Sequence, residues 1–298
     1  MNKIVILVSL SFICTLPLLA QSANSDDWKG FYVGGNGFVS NDKSNASASL
    51  SIQQTTNVFI AGRGIVVVPG TTLNFSASKR KTNGGGGGQA GYQWQAGKFV
   101  FGAEGDFNPF RRTASVSQSQ QLPVTIVSPV TTVTAKRDAR ISQEFSLRAR
   151  GGVAFGNTLV YGTGGYSNAR VRVTNIDSYT NPGGLAALCV ANCTSTFNSG
   201  PSGPIVTTAS QSKNMSGWNV GGGIEQKFGK LLSIGFEYRH TDLRSKTFAP
   251  TNAVVVNTGS SVAGTNGVIP DTQGQVSSGP TRISLKSDSF GVRVNFHF

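Results

Sequence analysis

Hydrophobic and polar residues alternate along several short stretches of this chain. The C-terminal stretch is the clearest, because apolar side chains recur at every second position between Phe290 and Phe298, with polar or small residues between them. The same period of two occurs in stretches that begin near Phe99, Phe145 and Trp218. Alternation of this kind gives a β-strand one apolar and one polar face. The pattern therefore predicts an all-β fold, and no window of comparable length shows helical periodicity.

The spacing of these stretches predicts how the strands are connected. We place eight strands at residues 30–40, 83–94, 99–110, 142–154, 159–172, 214–227, 232–242 and 283–298. Three connections are tight turns, whereas four are long and polar, at about 41–82, 111–140, 174–212 and 243–281. Short turns on one side and long loops on the other are typical of outer-membrane barrels. The sequence predicts an eight-stranded antiparallel up-and-down transmembrane β-barrel with four long extracellular loops.

The polar strand faces distinguish this interpretation from an exported soluble sandwich. They carry mostly glycine and charged residues of both signs, which suit the cramped interior of a narrow barrel, and the apolar faces then meet lipid. A soluble sandwich would bury the apolar faces instead and would have loops no longer than its strands, because long structureless loops are uncommon in compact domains.

The N-terminus has the features of an export signal. A basic Met1–Lys3 segment precedes an apolar run at 4–19, and a small-x-small site follows at 20–23. This order predicts a cleaved secretory signal peptide at residues 1–22 and a barrel domain at 23–298. After cleavage only Cys189 and Cys193 remain, and a pair of cysteines in an exported chain favours a disulfide over free or metal-bound thiols.

Charged residues on the polar faces are candidates for the barrel interior. They are Glu104, Asp106, Arg148, Arg150, Glu225, Glu237, Arg239 and Arg293. Buried charges are costly unless they are paired. Glu104 and Asp106 lie one strand before Arg148 and Arg150, so pairing with the neighbouring strand or across the barrel is feasible. We expect ion pairs that plug the barrel, since eight strands leave an interior just wide enough for side chains. The alternative is that the same charges gate a narrow pore.

The chain is strongly basic, with 26 Lys and Arg against 13 Asp and Glu and a formal net charge of +13. Basic residues gather at the loop ends of the predicted strands: Lys79, Arg80, Lys81, Arg111, Arg112, Arg137, Arg140, Arg170, Arg172, Arg244 and Lys246. We call this set the basic girdle and expect it to bind lipopolysaccharide phosphates at the outer leaflet. The alternative is ordinary solvated strand ends. A nucleic-acid partner is not expected of an exported chain, whereas an acidic host or matrix ligand at the loops is compatible with the charge.

Catalytic and cofactor motifs are sparse. Gly84–Gly88 lacks the Gly-Lys-Ser/Thr ending of a phosphate loop, so these glycines indicate close strand packing instead. Only His240 and His297 could serve as a catalytic base, and His240 is the better candidate because it precedes Thr241 and Asp242. We therefore expect no enzyme activity and no cofactor, with an outer-membrane lipid-modifying enzyme as the remote alternative.

Short motifs in the predicted strands carry a family resemblance. They lie at residues 28–35, 89–94, 101–107, 147–152, 217–223 and 236–243. In their order and spacing they resemble the small outer-membrane β-barrel surface proteins of Gram-negative bacteria, the porin-like immunogenic group related to the OmpA membrane domain. The terminal Phe296 and Phe298 resemble the signal read by the outer-membrane insertion machinery. The resemblance implies a non-enzymatic barrel for envelope integrity, adhesion or antigen display, and the alternative is a small diffusion channel.

Overall fold

The computed structural model describes residues 28–59, 66–109, 111–121, 132–181, 184–185, 198–199, 202–249, 253–257 and 269–298. The predicted signal peptide and both remaining cysteines lie outside these residues. The described chain is almost entirely strand: β1 Gly30–Phe59, β2 Val66–Ala96, β3 Phe99–Asn108, β4 Arg112–Gln121, β5 Thr132–Phe155, β6 Thr158–Asn181, β7 Gly184–Leu185, β8 Asn198–Ser199, β9 Ser202–Phe228, β10 Leu232–Phe248, β11 Ala253–Asn257 and β12 Ile269–His297. No described segment is a helix long and apolar enough to cross a membrane.

Eight of these strands close into a ring. Each pairs antiparallel with the next in the order β1-β2-β3-β5-β6-β9-β10-β12, and β12 pairs back onto β1. The short β4 and β11 add to β5 and β12, and β7 and β8 form a separate pair. The predicted eight-stranded up-and-down barrel is confirmed.

Three tight turns lie at one end of the barrel, where the sequence predicts them. Each contains a glycine in the left-handed region, with φ of 60° at Gly97, 60° at Gly156 and 69° at Gly229. A residue with a Cβ is strained in that region, so glycine is the residue that these turns require.

The strands extend much further from this end than predicted. β1 has 30 residues and β2 has 31, so most of the predicted loop at 41–82 is a paired hairpin. Parts of the other three predicted loops also belong to β4, β5, β6, β9, β10, β11 and β12. The prediction that these segments are long loops is therefore wrong for the described residues, and the barrel wall continues beyond the predicted strands.

The reason is an inversion of polarity along the barrel. Near the tight turns the large apolar side chains point outwards, as do Phe236 at 68% exposed and Phe290 at 67%. Further along, apolar side chains point inwards and are buried: Ala46, Ala139, Ile141, Ala169, Val171, Val173, Met215, Leu243, Phe248, Ile283 and Leu285, which we call the outer core. A search of the sequence for strands with apolar outer faces stops where the apolar side chains turn inwards. The remaining residues of each strand are therefore assigned to loops.

The outward-facing apolar side chains form a band with aromatic edges. Trp94, Phe99 and Phe155 are exposed beside the turns, and Tyr166 and Trp218 are exposed at the far edge. Aromatic residues at both edges of an apolar band are characteristic of barrels that cross a bilayer.

Candidate functional site

All eight charged residues predicted for the lumen point into the barrel. Seven are buried, and Arg239 keeps 14% of its side chain exposed. Each lies on the strand face opposite the apolar band, because side chains alternate between the two faces. The structure therefore brings together the residues that the sequence selects.

Glu104 lies directly opposite Arg148 in the register of β3 and β5, and the two form an ion pair. Glu104 also pairs with Arg293 of β12 and accepts a hydrogen bond from the Tyr32 hydroxyl at 2.6 Å. One fully buried carboxylate thus joins side chains from four strands of the ring.

Asp106 is the second acid of this layer. Its carboxylate lies 3.1 Å from Arg148 Nε and 3.1 Å from an Arg239 nitrogen. It also accepts hydrogen bonds from the Ser146 hydroxyl at 2.5 Å and the Asn108 amide at 2.9 Å. These contacts leave few of its lone pairs without a donor.

Glu237 is the third acid and meets three arginines. Its oxygens lie 2.6 Å from Arg148, 3.0 Å from Arg239 and 2.5 Å from Arg293. The Tyr161 hydroxyl donates to it at 3.0 Å. Glu104, Asp106, Glu237, Arg148, Arg239 and Arg293 therefore form a single network of three acids and three bases, which we call the central cluster.

Arg150 pairs across the barrel and not with the neighbouring strand. Its guanidinium forms an ion pair with Glu225 of β9 and lies 3.7 Å from the centre of the Tyr161 ring. Glu225 also accepts hydrogen bonds from the Ser233 hydroxyl and from the Asn295 amide at 2.7 Å. Both arrangements that the sequence allows thus occur, because Arg148 pairs with the neighbouring strand and Arg150 reaches across to a strand two places further round the ring.

An apolar group closes the barrel on the turn side of these charges. It consists of Trp28, Val100, Ala154, Leu159 and Tyr161, which we call the apolar cap. The indole of Trp28 donates to the Gly156 carbonyl at 3.1 Å, which fixes the residues before β1 under the barrel mouth.

Arg112 and Arg137, which the sequence assigns to the basic girdle, are not on the outer surface. Arg112 is 5% exposed and pairs inside the barrel with Asp42 at 3.3 Å and with Glu144. Arg137 is 4% exposed and pairs with Asp177 at 2.5 Å. Their assignment to the girdle is wrong, because the strands continue where loops were expected and turn these side chains inwards.

For one of these two arginines, the sequence itself indicates that the side chain points inwards. Arg137 is in phase with Ala135, Ala139 and Ile141, which are all buried on the same face as Arg137, so the period of two continues through it. No such signal exists for Arg112, because β3 ends at Asn108 and Arg112 is the first residue of a separate strand, β4.

A small polar cavity of about 30 Å³ lies between the central cluster and the Arg112 contacts. Asn36, Asn108, Arg239 and Thr241 contribute to its lining. This volume holds about two water molecules, which is far less than a continuous aqueous path.

The other nine residues of the basic girdle lie on the outer surface. They are Lys79, Arg80, Lys81, Arg111, Arg140, Arg170, Arg172, Arg244 and Lys246, all exposed. None of the nine forms an ion pair within the described part of the chain. Lys81 and Lys246 donate hydrogen bonds to Thr113 and to the Asn214 carbonyl, each at 2.7 Å.

His240 lies on the outside of the barrel, at the far edge of the apolar band. Its Nδ1 is 2.7 Å from Asp288, which also accepts a hydrogen bond from the Tyr238 hydroxyl at 2.8 Å. The hydrogen bond to His240 holds the pKa of Asp288 below its usual value. The neighbouring Ser289 hydroxyl donates to a backbone carbonyl, so it is not held as a nucleophile for His240. No group of metal-binding side chains occurs among the described residues.

The family model for the outer membrane protein beta-barrel domain matches residues 7–298. The chain belongs to this family. As an outer-membrane barrel it meets lipid with its apolar band, and its tight turns lie on the periplasmic side. The strands beyond the band therefore project from the cell surface.

Curated relatives agree with this family. The 31 kDa outer-membrane immunogenic proteins of Brucella melitensis and Brucella suis are each 30% identical to this barrel over 172 residues. The match covers 56% of this chain and 58% of each relative, so it spans less than two thirds of their length.

Solved barrels also show a distant likeness. Ail of Yersinia pestis is 8% identical, with a TM-score of 0.30 over 87% of this chain and 99% of that one. The protease OmpT of Escherichia coli is 9% identical, with a TM-score of 0.36 over 94% of this chain and 99% of that one. Both likenesses are too distant to carry an argument about function.

Proposed function

We propose that this protein is a non-conducting, non-enzymatic barrel that presents a rigid extracellular β-structure at the cell surface, for envelope integrity, adhesion or antigen display. The observation that carries the proposal is the filled interior. The apolar cap, the central cluster and the outer core follow one another along the barrel axis and are built almost wholly from buried side chains.

The central cluster supports this proposal energetically. Its three acids and three arginines balance in charge, and Arg148, Glu104 and Asp106 are at most 2% exposed. Breaking one such buried pair leaves an uncompensated charge, which costs about 3–5 kcal/mol. Thermal fluctuations of about 0.6 kcal/mol rarely open a network of this kind.

A small diffusion channel is the alternative, and two observations favour it. A polar cavity already exists above the central cluster, and Arg239 beside it keeps 14% of its side chain exposed. In this interpretation Arg239 swings into the cavity and the ion pairs act as a gate.

Single-channel conductance of the refolded chain in a planar bilayer separates the two functions. We expect a correctly inserted barrel to be silent. Steady open events whose ion selectivity changes in Arg148→Glu or Arg239→Glu would establish the channel instead. Insertion is checked independently by the altered gel mobility of the unheated barrel.

The contact between His240 and Asp288 is the one observation that favours an enzyme. The proposal of a non-enzymatic barrel predicts that purified protein has no lipase, protease or acyltransferase activity. An activity that disappears in His240→Ala, while the barrel stays folded, would overturn it.

We also propose that the exposed part of the basic girdle contacts lipopolysaccharide. These nine cations lie beyond the apolar band, at the level where lipid phosphates are dense. We expect lipopolysaccharide to raise the unfolding temperature of the barrel, and high salt to reduce this effect because exposed charges are screened. The exposed C-terminal residues Phe296 and Phe298 remain candidates for contact with the insertion machinery. An acidic host or matrix polymer remains a candidate ligand of the extracellular strands.

A further inference from the structure

We propose that a phosphorylated, acylated lipid of the outer leaflet, lipid A, docks on one side of the barrel, against the outer faces of β5, β6, β9 and β10. This inference rests on the proposed contact with lipopolysaccharide and narrows it from a ring of cations to one docking surface. Three features of that face support it: opposed arginines, an aromatic groove and a trough of small residues.

The first feature is a pair of arginines in direct opposition. Arg140 of β5 lies across from Arg172 of β6 in the strand register, and both are exposed on the outer face. Like charges in this position repel each other, because their Cβ atoms are about 5 Å apart. Arg170 lies two residues away on the same face. The acid nearest along β5 is Asp138, two residues from Arg140 on the same face, and it is paired with Lys136 at 3.4 Å, so none of the three arginines forms an ion pair within the described residues. A phosphate between them would remove the repulsion and accept bidentate hydrogen bonds.

The height of this arginine group matches a lipid headgroup. Arg170 follows Tyr166 by four residues along β6 and points to the same outer face. At about 3.3 Å per residue this is about 13 Å along a tilted strand. Tyr166 belongs to the aromatic edge of the apolar band, which marks the membrane–water interface. The arginines therefore lie just outside the hydrocarbon.

The second feature is a groove of about 360 Å³ directly below. Tyr166, Ser216, Trp218 and Arg244 line it, together with two glycines at which a Cβ would clash with the backbone of the neighbouring strand. The rings of Tyr166 and Trp218 are 49% and 45% exposed, so each presents an apolar ring with a polar tip to a ligand at the interface. Arg244 joins the groove to the cations above it, and the described residues give it no acidic partner.

The third feature is the surface beneath the groove, where side chains are small. Gly151, Gly162 and Gly222 lie opposite one another on β5, β6 and β9, and Gly164 lies beside them towards the groove. A Cβ atom on Gly162 or Gly164 would meet its nearest neighbour at 3.8 Å, so packing within the chain does not require glycine there. The resulting trough in the apolar band gives an acyl chain room beside the barrel wall.

The opposite side of the barrel lacks this combination. Lys43 lies between Arg80 and Lys286 in the register of β2, β1 and β12. Lys286, however, is paired with Asp242 of β10 at 2.8 Å, and the exposed Asp288 of β12 contacts His240 of β10. These acids offset the cations between β1 and β10, whereas the acid on the outer face of β5, Asp138, is already paired with Lys136. The docking surface therefore centres on β5, β6 and β9 and reaches β10 at Arg244.

A charge-neutralisation experiment tests the arginines. The Arg140→Gln/Arg170→Gln/Arg172→Gln variant is compared with Lys79→Gln/Arg80→Gln/Lys81→Gln, which removes the same number of exposed charges on the other side. Retention of bisphosphorylated lipid A and of the same lipid without phosphates is measured by native mass spectrometry from detergent micelles. We expect the arginine variant to bind bisphosphorylated lipid A about tenfold more weakly, whereas the lysine variant changes less than about threefold.

A second pair of variants tests the trough without changing charge. Gly164→Leu fills it from the outside, and Gly35→Leu is the control because a Cβ there is also in ordinary contact distance of its nearest neighbour, at 3.6 Å, on the exposed face of β1. We expect Gly164→Leu to weaken binding of acylated lipid A and to leave binding of the deacylated bisphosphorylated disaccharide unchanged. We expect Gly35→Leu to alter neither.

The outcomes separate this inference from the function on which it rests. Equal losses in the two charge variants would overturn the one-sided site and keep a ring-wide contact with lipopolysaccharide. No retention of lipid A by the unaltered barrel would overturn both. If Gly164→Leu disrupts a dimer and leaves lipid retention intact, the trough is occupied by a second copy of this chain and the lipid site is wrong.

Discussion

At the scale of single residues, Arg148 is the side chain on which the central cluster depends most. Its guanidinium meets Glu104, Asp106 and Glu237, and it is 2% exposed. The Arg148→Met substitution keeps much of the length of the side chain and removes its charge. The three carboxylates of the central cluster then share only the two remaining arginines. We expect a loss of about 3–5 kcal/mol in the free energy of unfolding, because breaking a buried ion network strands its remaining charges. Urea unfolding in lipid vesicles measures this loss.

The control for Arg148→Met is Lys98→Met in the first tight turn, where the side chain is exposed. We expect a change within about 0.5 kcal/mol, as for most surface substitutions. A similarly small change in Arg148→Met would show that water reaches the central cluster and screens it, which would favour the channel.

The sequence predicts which residues face the lumen wherever polar and apolar positions alternate without a break. Glu104 is out of phase with the apolar Phe101 and Phe107, and Arg148 is out of phase with Phe145 and Leu147, so their inward direction follows from the sequence. Their partners do not follow, because Arg150 pairs with Glu225 across the barrel and not with the adjacent strand. Pairing across an interior depends on how the ring closes, and no local pattern carries that information.

At the scale of elements, the strands beyond the membrane behave as a soluble barrel set on a membrane barrel. Phe248 is fully buried in the outer core, at the end of β10, in a region that the sequence assigns to a loop. We expect Phe248→Ala to destabilise these extracellular strands by about 3–5 kcal/mol, the range for truncating a buried aromatic residue. Limited proteolysis of intact cells or proteoliposomes checks this by cleavage beyond the band.

The matched control for Phe248→Ala is Val206→Ala on β9, whose side chain is 57% exposed. We expect it to leave protease resistance unchanged. Equal sensitivity of both variants and the unaltered chain would mean that the extracellular strands are not a cooperative unit.

The membrane half of each strand could be predicted from sequence, and the extracellular half could not. In the lower part of β6 the apolar Val160 faces outwards, whereas in the upper part Val171 and Val173 face inwards. The hydrophobic effect requires this inversion, because the solvent around the barrel changes from hydrocarbon to water. The alternation itself persists through the strand, so a search that allowed the apolar face to switch sides would have extended β6 correctly.

At the scale of the whole molecule, the barrel has several barriers in series. An ion that crosses it must pass the apolar cap around Trp28, the central cluster and the outer core around Phe248. Apolar constrictions exclude ions by dewetting, and charged ones do so by pairing. The barrier that ions cross least easily sets the conductance of such a path. Because the three layers lie in series, removal of one leaves the other two to block ions.

This arrangement predicts the behaviour of a barrel whose charged layer is half emptied. Replacing Glu104, Arg148 and Arg293 together with serine removes two arginines and one acid, keeps Asp106, Glu237 and Arg239, and leaves the apolar cap and the outer core intact. We expect this variant, once its folded gel mobility is confirmed, to stay electrically silent in a planar bilayer. A gated channel predicts the opposite, because the central cluster would then be its only gate and the loss of half of its charged side chains would give steady current. Conductance in the triple variant would therefore show that the cap and the outer core are already permeable, and that the ion pairs alone close the pore.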